Sequence, residues 1–340
     1  MRKRLTRKAK RTKRKIAIII STLCLLFVMI AGYAAFQTNL NITAKGNIAQ
    51  KSRVIQSWTS TSNEDFHTDY YRENIISVTF LDDARVPSNA VESWDVSETK
   101  DRGVMAYVVQ NSEDNTKYDL YIGANGGVIA NEDSSYLFYY FANLENINFN
   151  ESFNTSNTTN MSHMFADSRE LITLDLTTLD TRNVTNMAGM FMSSATANPM
   201  KLETIILGSN FNTINVTTMA AMFGNCTSLK NLDVSHFNTS NVTNMSNMFS
   251  SCYSLPFLDL SNWDTSKVTT MHGMFYHCRS LTELNLCTFD TNQVTSMSLM
   301  FTGTSDLSNI YVGPNWTTEN TTITNMFTYS GVSEVTTGQC

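Results

Sequence analysis

The sequence predicts an α/β repeat solenoid: parallel strands alternating with short helices, behind a small β-rich N-terminal cap and an N-terminal signal or anchor segment. Three observations predict it. The stretch "NVTNMSNMFSSCYSLPFLDLSNWDTS" (241–266) is followed at once by "KVTTMHGMFYHCRSLTELNLCTFDTN", with Val, Met, Phe, Cys and Leu at the same offsets. The residue closing each unit recurs at Phe153, Leu179, Phe211, Phe237, Trp263, Phe289 and Trp316, with steps of 26, 32, 26, 26, 26 and 27 residues. Each unit also holds both a two-residue and a three-to-four-residue apolar spacing, the periods of a strand and of a helix.

At the N-terminus, the first fifteen residues hold ten Lys and Arg and no acid, which leaves the rest of the chain about 16 charges negative. That basic run leads into apolar Ile16–Ile30, extending to Phe36. Basic then apolar is the order of a secretory signal or membrane anchor. Small residues at Ala34 and Ala35 offer a cleavage site, while a retained segment 16–36 is long enough to reach across a bilayer. Either fate places the remainder outside the cytoplasm, on the cell surface or secreted. An acidic remainder without aromatic-interleaved basic patches excludes nucleic acid as a partner.

Residues 37–69 are polar and read as a linker. Residues 70–133 read as the β-rich cap: "IISVTF" is a strand, and "VMAYVVQ" and "YDLYIG" flank the turn-rich "NSEDNTK" as a hairpin. Residues 134–340 then form about seven repeats, interrupted once by an insertion around Ser194–Lys201.

Within one unit, Leu258 and Leu260 share one strand face with Asp259 opposite. Met245, Met248, Phe249 and Cys252 stand at i, i+3, i+4 and i+7, a stripe down two helical turns, with Thr243 and Asn244 placed to cap it. Fifteen of the eighteen Met lie between Met161 and Met326. Thioethers could bind Cu(I), but these Met alternate with Phe on an apolar face, where unbranched side chains fill gaps. Packing is the expected role, and no cofactor is expected. Cys226, Cys252 and Cys278 share a slot that elsewhere holds Ser168, Ser194 and Thr304, so buried free thiols are expected. Cys287 and Cys340 fall outside the pattern and receive no assignment.

A Leu-x-x-Leu-x-Leu pattern on a 26-residue period lies in the leucine-rich-repeat range. The repeat block, with the upstream "ESWDVSETKDRGVMAYVVQ" and "YDLYIGANGGVIANEDSSYLF", resembles the BspA-like leucine-rich-repeat surface proteins of bacteria. That resemblance implies a surface or secreted protein used in adhesion or host contact, without enzyme activity.

The residues agree with a non-enzyme. No His-Glu-x-x-His, Gly-x-Ser-x-Gly or phosphate-cradling Gly loop is present. His163 and His272, between or beside the Met positions, are expected to face solvent. Asp180, Asp264 and Asp290 share a turn column with Asn154, Asn212 and Asn238. Such a column could hold Ca²⁺, but with half of it amide, a turn-stabilising hydrogen-bond role is favoured. The candidate binding residues lie opposite the buried Leu of each strand: Ile206, Asp233, Phe257, Asp259, Glu283, Asn285 and Tyr311. The expected function is an adhesin or matrix-binding module that recognises an extracellular protein or glycan by surface complementarity. The alternative is a structural matrix component acting as a spacer or by self-association.

Overall fold

The Met-x-x-Met-Phe segments are not helices. A left-handed residue closes each of the two turns that make up a segment: His163 and Asp167, Asn247 and Ser251, Gly273 and His277, with φ between +55° and +60°. A helix would satisfy its amides internally. Here alternate amides point to the next repeat instead. Met161, His163, Phe165 and Asp167 donate to the carbonyls of Asn186, Ala188, Met190 and Met192 at 2.9–3.0 Å. Short turns such as Met164 N to Met161 O (3.3 Å) close the intervening peptides. The i, i+3, i+4, i+7 stripe is still buried, because two successive turns carry those positions to the same side.

The structure is a computed structural model that describes residues 51–58, 66–194 and 198–340. The expected signal or anchor at 1–36, with the cleavage site at Ala34 and Ala35, lies outside the described residues. Among the described residues the one helix is α1 (Asp69–Arg72), and no helix is long and apolar enough to cross a membrane. The expected α/β leucine-rich-repeat solenoid is corrected accordingly, and the transmembrane reading finds no supporting helix among the described residues. The described chain is built from turns and small separate sheets. Layer spacing gives the physical reason. Phe138, Phe165, Phe191, Phe223, Phe249, Phe275, Phe301 and Phe327 stack ring on ring at 5.4–5.9 Å. Packed helices need about 8–10 Å; hydrogen-bonded extended chains need about 4.8 Å.

Among the described residues there are four sheets. β1 (Ile75–Leu81), β2 (Glu92–Asp95), β3 (Val104–Gln110), β4 (Tyr118–Ala124) and β6 (Asn146–Asn148) form one of five strands, ordered β2-β3-β4-β1-β6. The β3–β4 pair is the expected hairpin, in register from Val104–Ala124 to Gln110–Tyr118. β5 (Val128–Ile129) pairs β7 (Phe153–Asn154). β8 (Thr173–Leu176), β9 (Thr204–Leu207) and β10 (Asn231–Leu232) form a parallel trio, as do β11 (Glu283–Leu286), β12 (Asn309–Val312) and β13 (Thr336–Thr337). Residues 51–58, read as linker, are also tied in, since Val54 bridges Ile129 and Ile55 is fully buried.

Pro256 separates the two trios. At the equivalent position Glu203 donates its amide to Ile172 O (2.8 Å), Lys230 to Glu203 O (2.9 Å) and Ser308 to Thr282 O (2.9 Å). Proline has no amide hydrogen, and residues 255–260 form no strand.

Between repeats runs a buried column of Thr: Thr155, Thr181, Thr213, Thr239, Thr265 and Thr291. Thr265 Oγ1 donates to Asp290 O (2.9 Å) and accepts from Asp290 N (2.8 Å). Thr155, Thr181, Thr213 and Thr291 make the same two-way bond to the following repeat. The Cys slot also bridges layers. Cys226, Cys252 and Cys278 are free and buried, and their thiols donate to Phe191 O, Phe223 O and Phe249 O at 3.0–3.2 Å. Ser168 donates likewise to Phe138 O, so the slot selects a small donor. Burial pushes the Cys226 thiol up to about 12 and holds the other two above their ordinary value. The unassigned pair, Cys287 and Cys340, is a disulfide with Cα atoms 5.6 Å apart.

Candidate binding face

The outward side chains of the strands fall into two columns, because parallel pairing without slippage repeats each position from strand to strand. Thr173 pairs with Thr204 and Thr204 with Asn231; the repeat carries that column on through Phe257, Glu283 and Asn309. Asp175 pairs with Ile206, and Asn285 with Tyr311, in a second column that includes Asp233 and Asp259. All seven candidate residues therefore occupy the two outward columns, although Phe257 and Asp259 stand in a segment that forms no strand. Asp175 belongs with them and was overlooked, although it occupies the slot of Asp233 and Asp259.

Exposure differs along the face. Phe257 is 65% exposed, Ile206 42% and the neighbouring Ile172 54%. Asp233, Glu283 and Asn285 are exposed, while Asp259 and Tyr311 are half-buried. Phe257 projects from the segment that Pro256 keeps out of the sheet.

Part of the second column has a local structural role. Asp175 Oδ1 accepts Thr177 N (2.9 Å), Asp233 Oδ1 accepts Ser235 N (3.0 Å), Asp259 Oδ1 accepts Ser261 N (3.0 Å) and Asn285 Oδ1 accepts Cys287 N (3.1 Å). Each closes a turn just after the buried Leu or Val that ends its unit's extended segment. The Ser235 and Ser261 hydroxyls add a second bond. These bonds hold Asp233 and Asp259 below the usual carboxylate range; His236 lowers Asp233 further, while Asp233 itself pushes Asp259 up a little. Where the column holds Ile206 or Tyr311, Gly208 or Gly313 follows two residues later. A Cβ there would stand 2.4 Å from Thr177 O or 2.1 Å from Cys287 O.

The other column considered, Asp180, Asp264 and Asp290 with Asn154, Asn212 and Asn238, has its oxygens committed in the same way. Each accepts the amide two residues ahead at 2.9–3.1 Å. No group of three or more His, Cys, Asp or Glu side chains among the described residues is arranged to hold a metal. His163 departs from the solvent-facing expectation. It is half-buried with its ring flat on Tyr136 (4.8 Å, 2°), and burial lowers its pKa, partly opposed by Asp167. His272 is half-buried too.

No curated protein and no solved structure matches the chain. Residues 132–202 and 231–335, just over half of the chain, match the family described as "Mycoplasma protein of unknown function, DUF285". The matched segments are the repeats themselves, and the chain belongs to the DUF285 family.

Proposed function

We propose that this chain is an exported, non-enzymatic binding module, held at the cell surface or secreted, that recognises an extracellular macromolecule by surface complementarity in the manner of an adhesin. The single observation that carries the reading is Phe257. It is a large aromatic left 65% exposed, midway along the outward columns, where Ile206 is also exposed. Aromatic side chains in such positions dominate binding energy when a partner covers them. Two further observations support the reading. The basic-then-apolar N-terminus is an export arrangement, and the Cys287–Cys340 disulfide suits an oxidising compartment. The finer kinship we propose is with the BspA-like surface proteins, on the strength of the 26-residue Met-x-x-Met-Phe-x-x-Cys unit.

The test is binding of the purified full chain to cell monolayers and to deposited extracellular matrix, wild type against Phe257→Ser. Saturable binding that Phe257→Ser weakens at unchanged melting temperature supports the reading. Absence of saturable binding, or binding indifferent to Phe257, overturns it.

A further inference from the structure

From its unbalanced charge we infer that this face docks a cationic, extended protein segment of about six residues with an apolar side chain at its centre; the inference rests on the binding reading above and names its partner. Asp175, Asp233, Asp259 and Glu283 occupy four of five successive strand units, and among the described residues no Lys or Arg pairs with any of them. The two lysines beside the face are already neutralised: Lys201 by Glu170, and Lys230 by Glu203 at 2.7 Å. The face therefore carries a row of carboxylates around exposed Phe257 with no Lys or Arg partner, His236 beside Asp233 being the one basic side chain that acts on it.

Like charges in adjacent repeats repel. Asp233 and Asp259 stand in adjacent units of one column, and the charge on Asp233 opposes, without outweighing, the Ser261 bonds that hold the Asp259 carboxyl below its ordinary range. The turn bonds from Ser235 and Ser261 offset that push and keep both groups ionised. A partner bearing positive charge relieves the repulsion; a polyanion such as heparin or nucleic acid adds to it. From the unit of Asp175 to that of Glu283 there are four layer steps; at about 5 Å each, between the strand spacing and the ring spacing of the Phe stack, they span about 20 Å, which about six extended residues cover. The segment runs along the stack and across the strands, its basic side chains over the carboxylates and its apolar one over Phe257.

The test uses the full chain and a fluorescent eight-residue peptide of alternating Lys and Ser with one central Leu. Its Glu-for-Lys counterpart and a heparin fragment are the controls. The comparison protein is the triple variant Asp233→Asn, Asp259→Asn, Glu283→Gln. Asn already fills this slot at Asn148 and Asn285, where it accepts the same turn amide, so the variant keeps its turns, and its melting temperature is measured beside wild type. The expected result is that wild type binds the Lys peptide, that affinity falls as salt rises, and that the triple variant binds about tenfold more weakly, the sum of three modest exposed ion pairs. Equal binding by the triple variant, no binding of the Lys peptide, or preferential binding of heparin overturns the inference. Monolayer binding that survives the triple variant but not Phe257→Ser sinks the cationic partner alone. Monolayer binding that survives both sinks the binding face as well.

Discussion

Replacing Thr265 by Val tests whether side-chain rungs hold the repeats together. Thr265 is fully buried, and Val matches its shape, so the change exchanges one hydroxyl for a methyl of similar size. That hydroxyl donates to Asp290 O and accepts from Asp290 N at 2.9 and 2.8 Å. Its loss strands a carbonyl and an amide of the next repeat together. A buried polar group left without a partner costs about 1–3 kcal/mol. Asp290 is only half-buried, which lets water recover part of that, so the expected loss is about 3 kcal/mol for the two groups. Thr265→Ser keeps the oxygen and removes one methyl, worth about 1 kcal/mol. Urea denaturation followed by fluorescence, with both variants beside wild type, reads the difference. A Val variant within about 0.5 kcal/mol of wild type, the scale of a neutral surface change, would refute the rung. So would a Ser variant as unstable as the Val one.

Three other perturbations have expected outcomes. Gly208→Ala places a Cβ 2.4 Å from Thr177 O, a backbone atom, and a forced backbone shift of this kind costs on the order of 1–3 kcal/mol; a melting temperature equal to wild type would contradict it. His163 has a folded pKa below its ordinary 6.5 because of burial, so the folded state binds fewer protons than the unfolded one. Its contribution is present above pH 6.5 and declines as the pH falls through that value towards the folded pKa. The melting temperature should drop between pH 7.5 and 5.5, and His163→Asn, which tolerates the same positive φ, should flatten that drop. Reducing the Cys287–Cys340 bond releases a loop with a sequence separation of 53 residues, worth up to about 4 kcal/mol by loop-closure entropy. Hydrogen exchange should then rise first in residues 309–340, and an unchanged pattern would show that the disulfide does not hold them.

How much of this was legible in the sequence depended on what a residue's identity reports. The period and the inward set were legible. Met245, Met248, Phe249 and Cys252 are all buried, as are Leu258 and Leu260, because apolar spacing reports which side chains share a face. Spacing does not report whether a helix or a pair of turns creates that face, and here the helix reading failed. The warning sign was the position two after the first Met: His163, Gly189, Asn247 and Gly273 all have positive φ there, as does Asn325 two after Ile323 in the same slot, and Asn and Gly are the residues that adopt it most readily. Ala221 and Leu299 at the same position blurred the signal. The Thr rungs were also readable as an invariant column inside the repeat, yet Thr after Asp or Asn was absorbed into the turn. Cys287 and Cys340 fall outside any periodic column, and only three-dimensional proximity pairs them. On the candidate face, the outward columns were legible by alternation, Asp175 included. That three of its carboxylates also close turns was not, since an Asp looks the same whether or not its oxygen is engaged.

Carbodiimide footprinting of the full chain bound to a cell monolayer tests most directly whether the strand face around Phe257 is what the molecule presents to its partner. With that face covered, Asp175, Asp233, Asp259 and Glu283 should be protected relative to the free protein, while Asp180, Asp264 and Asp290 on the turn column label as before. Protection of the turn column with the strand-face carboxylates still reactive would contradict it.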